Sequence, residues 1–244
     1  MTPAVLARLQ EANAAKRAVA LLTRLPDGGQ LLWPDDAVPS PLADAARTAL
    51  QDDEAGNVSF DGQTWFVHPH NPPVRLIVVG AVHVAQALVP MAATLGLGVT
   101  VVDPRRAFAT PERFPGVALS FDWPDEAMAA LGPDARTAVV TLTHDPKLDD
   151  PALDAALRSS CFYIGALGSR RTHAKRVERL KELGHDDAVL GRIHAPVGLD
   201  IAAVTAPEIA LSVLAEVVAA RRGSALAKRA APTPAAAAPA MAAG

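Results

Sequence analysis

Residues 74–88 read VRLIVVGAVHVAQAL, and the fold turns on how they are taken. VRLIVVG is an unbroken apolar run ending at Gly80, as in a strand buried on both faces. The segment from His83 to Leu95 has a helical pattern. A strand passing through glycine into a helix is the first unit of a nucleotide-binding α/β sheet. The glycine pattern then departs from the one that docks a nicotinamide dinucleotide, because Val82 and Ala85 stand at its second and third glycine positions. Gly80 still permits the tight exit, and the helix start offers backbone N–H groups to an anion. A branched side chain at Val82 should hinder close approach of a pyrophosphate.

Downstream, the same alternation repeats. GVTVVD, GVALS, TAVVTLTH and CFYIGAL read as strands, and DEAMAAL, PALDAALRSS and RTHAKRVERLKEL as helices. The last long helix opens with TAPE, where Thr205 and Glu208 form a capping box. Apolar strands alternating with helices predict a doubly wound, Rossmann-like α/β fold with a parallel sheet over residues 73–223. Upstream, residues 1–72 read as a small α+β N-terminal domain. AVLARLQEANAAKR is a helix, AVALLTRL and QLLWP are strands around a PDGG turn, SPLADAARTALQ is a helix opened by Ser40, and TWFVHP is a strand. HNPP closes this part. The Ala/Pro-rich tail, residues 224–244, is expected to be disordered because it has few large apolar side chains to bury.

The 244 residues carry a formal charge of −3, which gives no electrostatic case for nucleic acid as a partner. No apolar run reaches the ~18–20 residues of a membrane span, and the N-terminus lacks signal-peptide features. A single cysteine, Cys161, excludes a disulfide or cysteine-rich metal site within one chain, and its apolar setting favours an inert thiol. A soluble, cytoplasmic protein is expected.

Ligands of doubly wound sheets bind beyond the carboxyl ends of the strands. Four turns should therefore share one rim: Gly80 to His83, Asp103 to Arg106, Thr143 to Asp145, and Gly165 to Arg171. Asp103 follows Gly80 by 23 residues, near the spacing of a ribose-binding acid, and any such fold often has an acid there. Thr143, His144 and Asp145 read either as groups that orient a ligand or move a proton, or as a turn capped by Asp145 before Pro146. Gly165, Gly168, Ser169, Arg170 and Arg171 lead into a helix. Arginines at a positive helix end favour a bound anion there, against the alternative of a solvated basic helix. RIHAPVGLDI, residues 192–201, concentrates special residues in a shaped loop.

GAVHVAQAL, VTVVDPR, TLTHDPKLD, YIGALGSRRTHAKR and RIHAPVGLDIAAVTAPEIALSVLAEVVA occur here in the order found in the XdhC family of xanthine dehydrogenase accessory proteins. The chain resembles that family closely over residues 72–222 and more loosely before them. The resemblance implies a maturation factor, without turnover of its own, for molybdenum hydroxylases of the xanthine or CO dehydrogenase type. It implies binding of a molybdopterin-type cofactor with a phosphate or dinucleotide tail, protection during sulfuration, and insertion into the apo-enzyme. Implied partners are that client, a cysteine desulfurase or sulfurtransferase, and a second copy or a longer paralogue.

Carried onto this chain, Gly168, Ser169, Arg170 and Arg171 would hold phosphate. Thr143, His144 and Asp145 would orient the pterin, with Asp103 at a ribose or pterin edge and Gly80, His83, Arg105 and Gly165 completing the rim. Two departures stand out: Val82 where relatives commonly have glycine, and TRLPDGGQLLWP where longer members carry a cysteine-containing block. Two rival readings remain: an NAD(P)-dependent oxidoreductase with Arg105 or Arg106 on a 2′-phosphate, and an adaptor that binds no cofactor.

Overall fold

The computed structural model describes residues 1–227 and forms two compact units, Met1–Pro73 and a second from Val74 onward. The first contains α1 (Pro3–Ala14), β1 (Val19–Arg24), β2 (Gln30–Trp33), α2 (Ser40–Asp52), β3 (Gly56–Phe60) and β4 (Gln63–His70). Its strands form an antiparallel sheet in the order β2-β1-β4-β3. Alternation along β1 divides the core. Ala20 and Leu22 pack with Leu42, Ala46 and Ala49 of α2, while Val19 and Leu21 pack with Val5, Leu9 and Ala12 of α1.

The polar segment GNVSF, absent from the sequence-based strands, is β3. It is held by a two-residue hairpin at Asp61 and Gly62, both at positive φ, with Phe60 opposite Gln63. Ser40 lies inside α2, whose N-cap is Pro39.

The second unit contains β5 (Arg75–Val79), α3 (His83–Thr94), β6 (Gly98–Val102), β7 (Ala118–Ser120), α4 (Pro124–Leu131), β8 (Thr137–Thr141), α5 (Pro146–Arg158), β9 (Tyr163–Ala166), α6 (Arg170–Glu182), α7 (Asp187–Leu190), β10 (Ile193–His194) and α8 (Ala206–Arg221). All six strands are parallel, in the order β10-β9-β8-β5-β6-β7. The chain winds outward from β5 to β7, returns to β8 beside β5, and continues to β10. The strand order therefore reverses between β5 and β8.

Successive residues of each strand feed opposite layers. Leu76 and Val78 pack with Leu88, Val89, Val213 and Val217 of α3 and α8. Ile77 and Val79 pack with Met128, Leu153, Ala156 and Leu180 of α4, α5 and α6. The result is the expected doubly wound, Rossmann-like sheet after a small antiparallel α+β unit. The capping box at Thr205 and Glu208 is present.

Several boundaries differ from expectation, among them the end of β8 at Thr141 rather than His144. α5 begins five residues earlier than Pro151, at Pro146, because Asp145 caps it and Pro146 occupies the first turn. β9 is shorter than CFYIGAL. Of the tail expected to be disordered, Ala225–Ala227 form one 3-10 turn, and residues 228–244 lie outside the described residues. No helix among the described residues is long and apolar enough to cross a membrane.

Candidate functional site

The strand register places Val79, Val102, Thr141 and Ala166 side by side. The four turns that follow them leave the same edge of the sheet.

At the first turn, Gly80 has φ +109° and a Cβ built on it would stand 2.3 Å from Thr143 Cγ2. The glycine thus admits the neighbouring β8–α5 turn. Val82 has φ −92°, which any residue adopts, and its half-buried side chain packs against the core. No side chain caps α3, and His83 is exposed at its first position.

Asp103 has no exposed surface. Its Oδ2 accepts from Ala81 N and Arg105 Nη2 at 2.8 Å each, and its Oδ1 from Arg105 N at 3.0 Å and Arg105 Nε at 2.9 Å. Burial raises its pKa, but these donors outweigh that and hold the carboxyl below its usual range. A ribose hydroxyl meets no free carboxylate here. Asp103 instead fixes the β5–α3 turn to the β6 end. Arg105 is spent on it and stacks on Phe108, while Arg106 stacks on Phe121.

Thr143 is buried and donates to Asp149 Oδ1 at 2.6 Å, while its Oγ1 accepts from Asp145 N at 3.0 Å. Asp145 accepts from Lys147 N at 3.0 Å as the cap of α5. Of the Thr-His-Asp cluster, only His144 faces a cleft, and it does so at φ +52°. Gly165 is buried, and a Cβ there would stand 2.6 Å from Val197 and 2.9 Å from the Tyr163 ring, so packing accounts for it.

Ser169 caps α6 by accepting from Thr172 N at 3.2 Å, and Gly168 at φ +132° sets the approach. Arg170 and Arg171 are both exposed, but only Arg171 lines the cleft. That cleft, about 220 Å³, lies between the β8–α5 turn and the flank of α6, one strand away from the reversal point. Lys175, Arg176 and Arg179 of α6 join Arg171 in it.

Three residues that position this rim were not singled out from sequence. Arg176 and Asp149 are each 1% exposed and meet at 3.4 Å. Burial pushes the Asp149 carboxyl up, against the hydrogen bond from Thr143 and the charge of Arg176. Glu216 of α8 is buried and accepts from Tyr163 Oη at 2.6 Å and Gly198 N at 2.8 Å, with His194 Nδ1 at 3.2 Å. The HAPVGLDI loop is therefore pinned to the core.

Cys161 is buried, beside Ser159 Oγ at 2.8 Å, and burial raises its thiol pKa. Among the described residues no three His, Cys, Asp or Glu side chains are placed to hold a metal ion.

The family model for the XdhC Rossmann domain matches residues 76–217. The molybdenum cofactor insertion chaperone PaoD of Escherichia coli is 39% identical over 150 residues, 62% of this chain and 41% of PaoD. A probable xanthine dehydrogenase subunit of Bacillus subtilis is 32% identical over 192 residues, 78% of this chain and 54% of that protein. The uncharacterized YqeB of E. coli is 33% identical over 166 residues, 68% of this chain and 31% of YqeB. The chain thus spans between about a third and about half of these relatives' lengths. In fold it is similar to a Bacillus halodurans protein described as a xanthine dehydrogenase, with TM-score 0.69 and 23% identity over 90% of this chain and 67% of that one. With the family model covering more than half of its length, this chain belongs to the XdhC family.

Proposed function

We propose that this protein is a molybdenum cofactor carrier that holds the cofactor during sulfuration and passes it to an apo molybdenum hydroxylase, without turnover of its own. The observation that carries this reading is the cationic cleft on the carboxyl rim, where Arg171, Lys175 and Arg176 converge. The resemblance to PaoD supports it.

The residues fit the phosphate end of such a group, because the buried Arg176 retains guanidinium donors without an acceptor. Arg171, Lys175 and Arg176 would hold the phosphate, with His144 at the cleft edge toward the pterin. When bound, the cofactor supplies the redox-active molybdenum that the client uses. This chain's residues bind the anionic tail. The client, a sulfur-donating enzyme, and a second copy or longer paralogue are the proposed partners.

The test is direct. Protein purified from a molybdenum-replete host is oxidised and the released pterin measured by fluorescence, with metal analysis alongside. Near-stoichiometric pterin is expected. Absence of pterin, also after incubation with free cofactor, would overturn the reading.

A further inference from the structure

Arg176 lies in the second turn of α6 with 1% of its surface exposed. A guanidinium carries five N–H donors and keeps its charge at ordinary pH. Here Nη2 donates to Leu167 O at 2.9 Å and approaches Asp149 Oδ2 at 3.4 Å. Nε and Nη1 are buried with no acceptor among the described residues. Orphaned donors on a buried cation are costly, and each needs a physical explanation.

Asp149 does not complete the site, since its other oxygen is taken by Thr143. Arg179 is neutralised by Asp150, with Nη2 at 3.0 Å from Oδ1. Arg171 and Lys175 line the same cleft and make no ion pair among the described residues. The cleft therefore has a surplus of positive charge and a buried donor set that no protein group satisfies. Its volume, about 220 Å³, far exceeds the roughly 10–15 Å³ that one water needs.

We propose that this cleft is the seat of a phosphate ester, with Arg176 as its buried anchor and Arg171 and Lys175 as flanking cations. The phosphate is thereby placed on the flank of α6. Its N-terminus is already capped by Ser169, and Arg170 does not line the cleft. The seat rests on the cofactor-carrier reading only for the identity of its ligand.

Calorimetric titration of inorganic phosphate and pyrophosphate into the full chain tests the seat. Three proteins are compared: wild type, the exposed pair Arg171→Gln/Lys175→Gln, and Arg176→Met. Wild type is expected to bind pyrophosphate saturably, and each variant to bind it at least tenfold more weakly. Arg176→Met strips the buried Asp149 of its cation, which destabilises the fold, so circular dichroism first checks that it folds. If it does not, the exposed pair decides alone. No saturable binding by wild type, or equal binding by the exposed pair, overturns the seat. Pterin measured on the same preparations separates the two readings. Pyrophosphate binding without any pterin overturns the carrier and leaves the seat, whereas pterin retained equally by wild type and the exposed pair overturns the seat and leaves the carrier.

Discussion

Thr143 Cγ2 occupies the space beside Gly80 that a Cβ would need, 2.3 Å from where that atom would stand. The two turns at the reversal point of the sheet are thus locked together by a glycine on one and a methyl on the other. The same threonine uses its hydroxyl to hold Asp149, so the lock reaches the cationic cleft.

Gly80→Ala should therefore cost about 2–4 kcal/mol, combining a φ that L residues avoid with overpacking. Thr143→Ser keeps the hydroxyl and removes the methyl. In the Gly80→Ala background it should recover part of the loss, read as a coupling in a double-mutant cycle of urea midpoints. Strictly additive effects would mean that the methyl is not what the alanine meets.

Asp103 makes a pH prediction. Burial raises its pKa, but the Arg105 side chain and the Ala81 and Arg105 N–H groups more than offset this, and the folded pKa lies below the unfolded one. Its contribution is present above the unfolded value, about 3.9, and is lost as pH falls through the lower folded value. Asp103→Asn should be less stable at pH 6 and lose less further stability between pH 6 and pH 3 than wild type. A parallel acid limb in both proteins would remove Asp103 from the acid response.

Glu216 gathers Tyr163, His194 and Gly198 onto one buried carboxylate. Burial favours its neutral form, yet these partners hold its pKa below the usual range. Tyr163→Phe should cost about 1 kcal/mol, one hydrogen bond, whereas Glu216→Ala should cost about 2–4 kcal/mol by leaving several buried donors unpaired. Hydrogen exchange at Gly198 should rise in Glu216→Ala and stay protected in Tyr163→Phe.

These relationships mark where sequence reading runs out. Period and capping were visible in VRLIVVG, in the helix from His83 and at Thr205, because each is a local pattern repeated over several residues. GNVSF was not visible as a strand, because its pairing with β4 supplies what its polar side chains do not. The basic run after Gly168 draws attention to α6, but Arg170 and Arg176 look alike as letters. Only the packing of α6 on α5 separates an exposed arginine from a buried one. Asp149 and Glu216 acquire their roles from partners 27 and 53 residues away, Arg176 and Tyr163 respectively. The spacing of Asp103 from Gly80 suggests a ribose-binding acid, but its neighbour Arg105 turns back onto it, a pairing that letters alone do not show.

His144 offers the sharpest separation of strain from use. Its φ of +52° is one that a non-glycine residue adopts at a cost of about 1–2 kcal/mol, and residues held in this way cluster where a ligand is gripped. Glycine relieves that cost and loses about 0.5–1 kcal/mol through the flexibility it adds to the unfolded chain. His144→Gly should thus be as stable as wild type or more stable by up to about 1.5 kcal/mol. Because the imidazole borders the phosphate seat, the same variant should bind pyrophosphate several-fold more weakly. Stability from urea unfolding and affinity from calorimetry should move apart. A variant both less stable and undiminished in binding would show that the histidine serves the turn rather than the cleft.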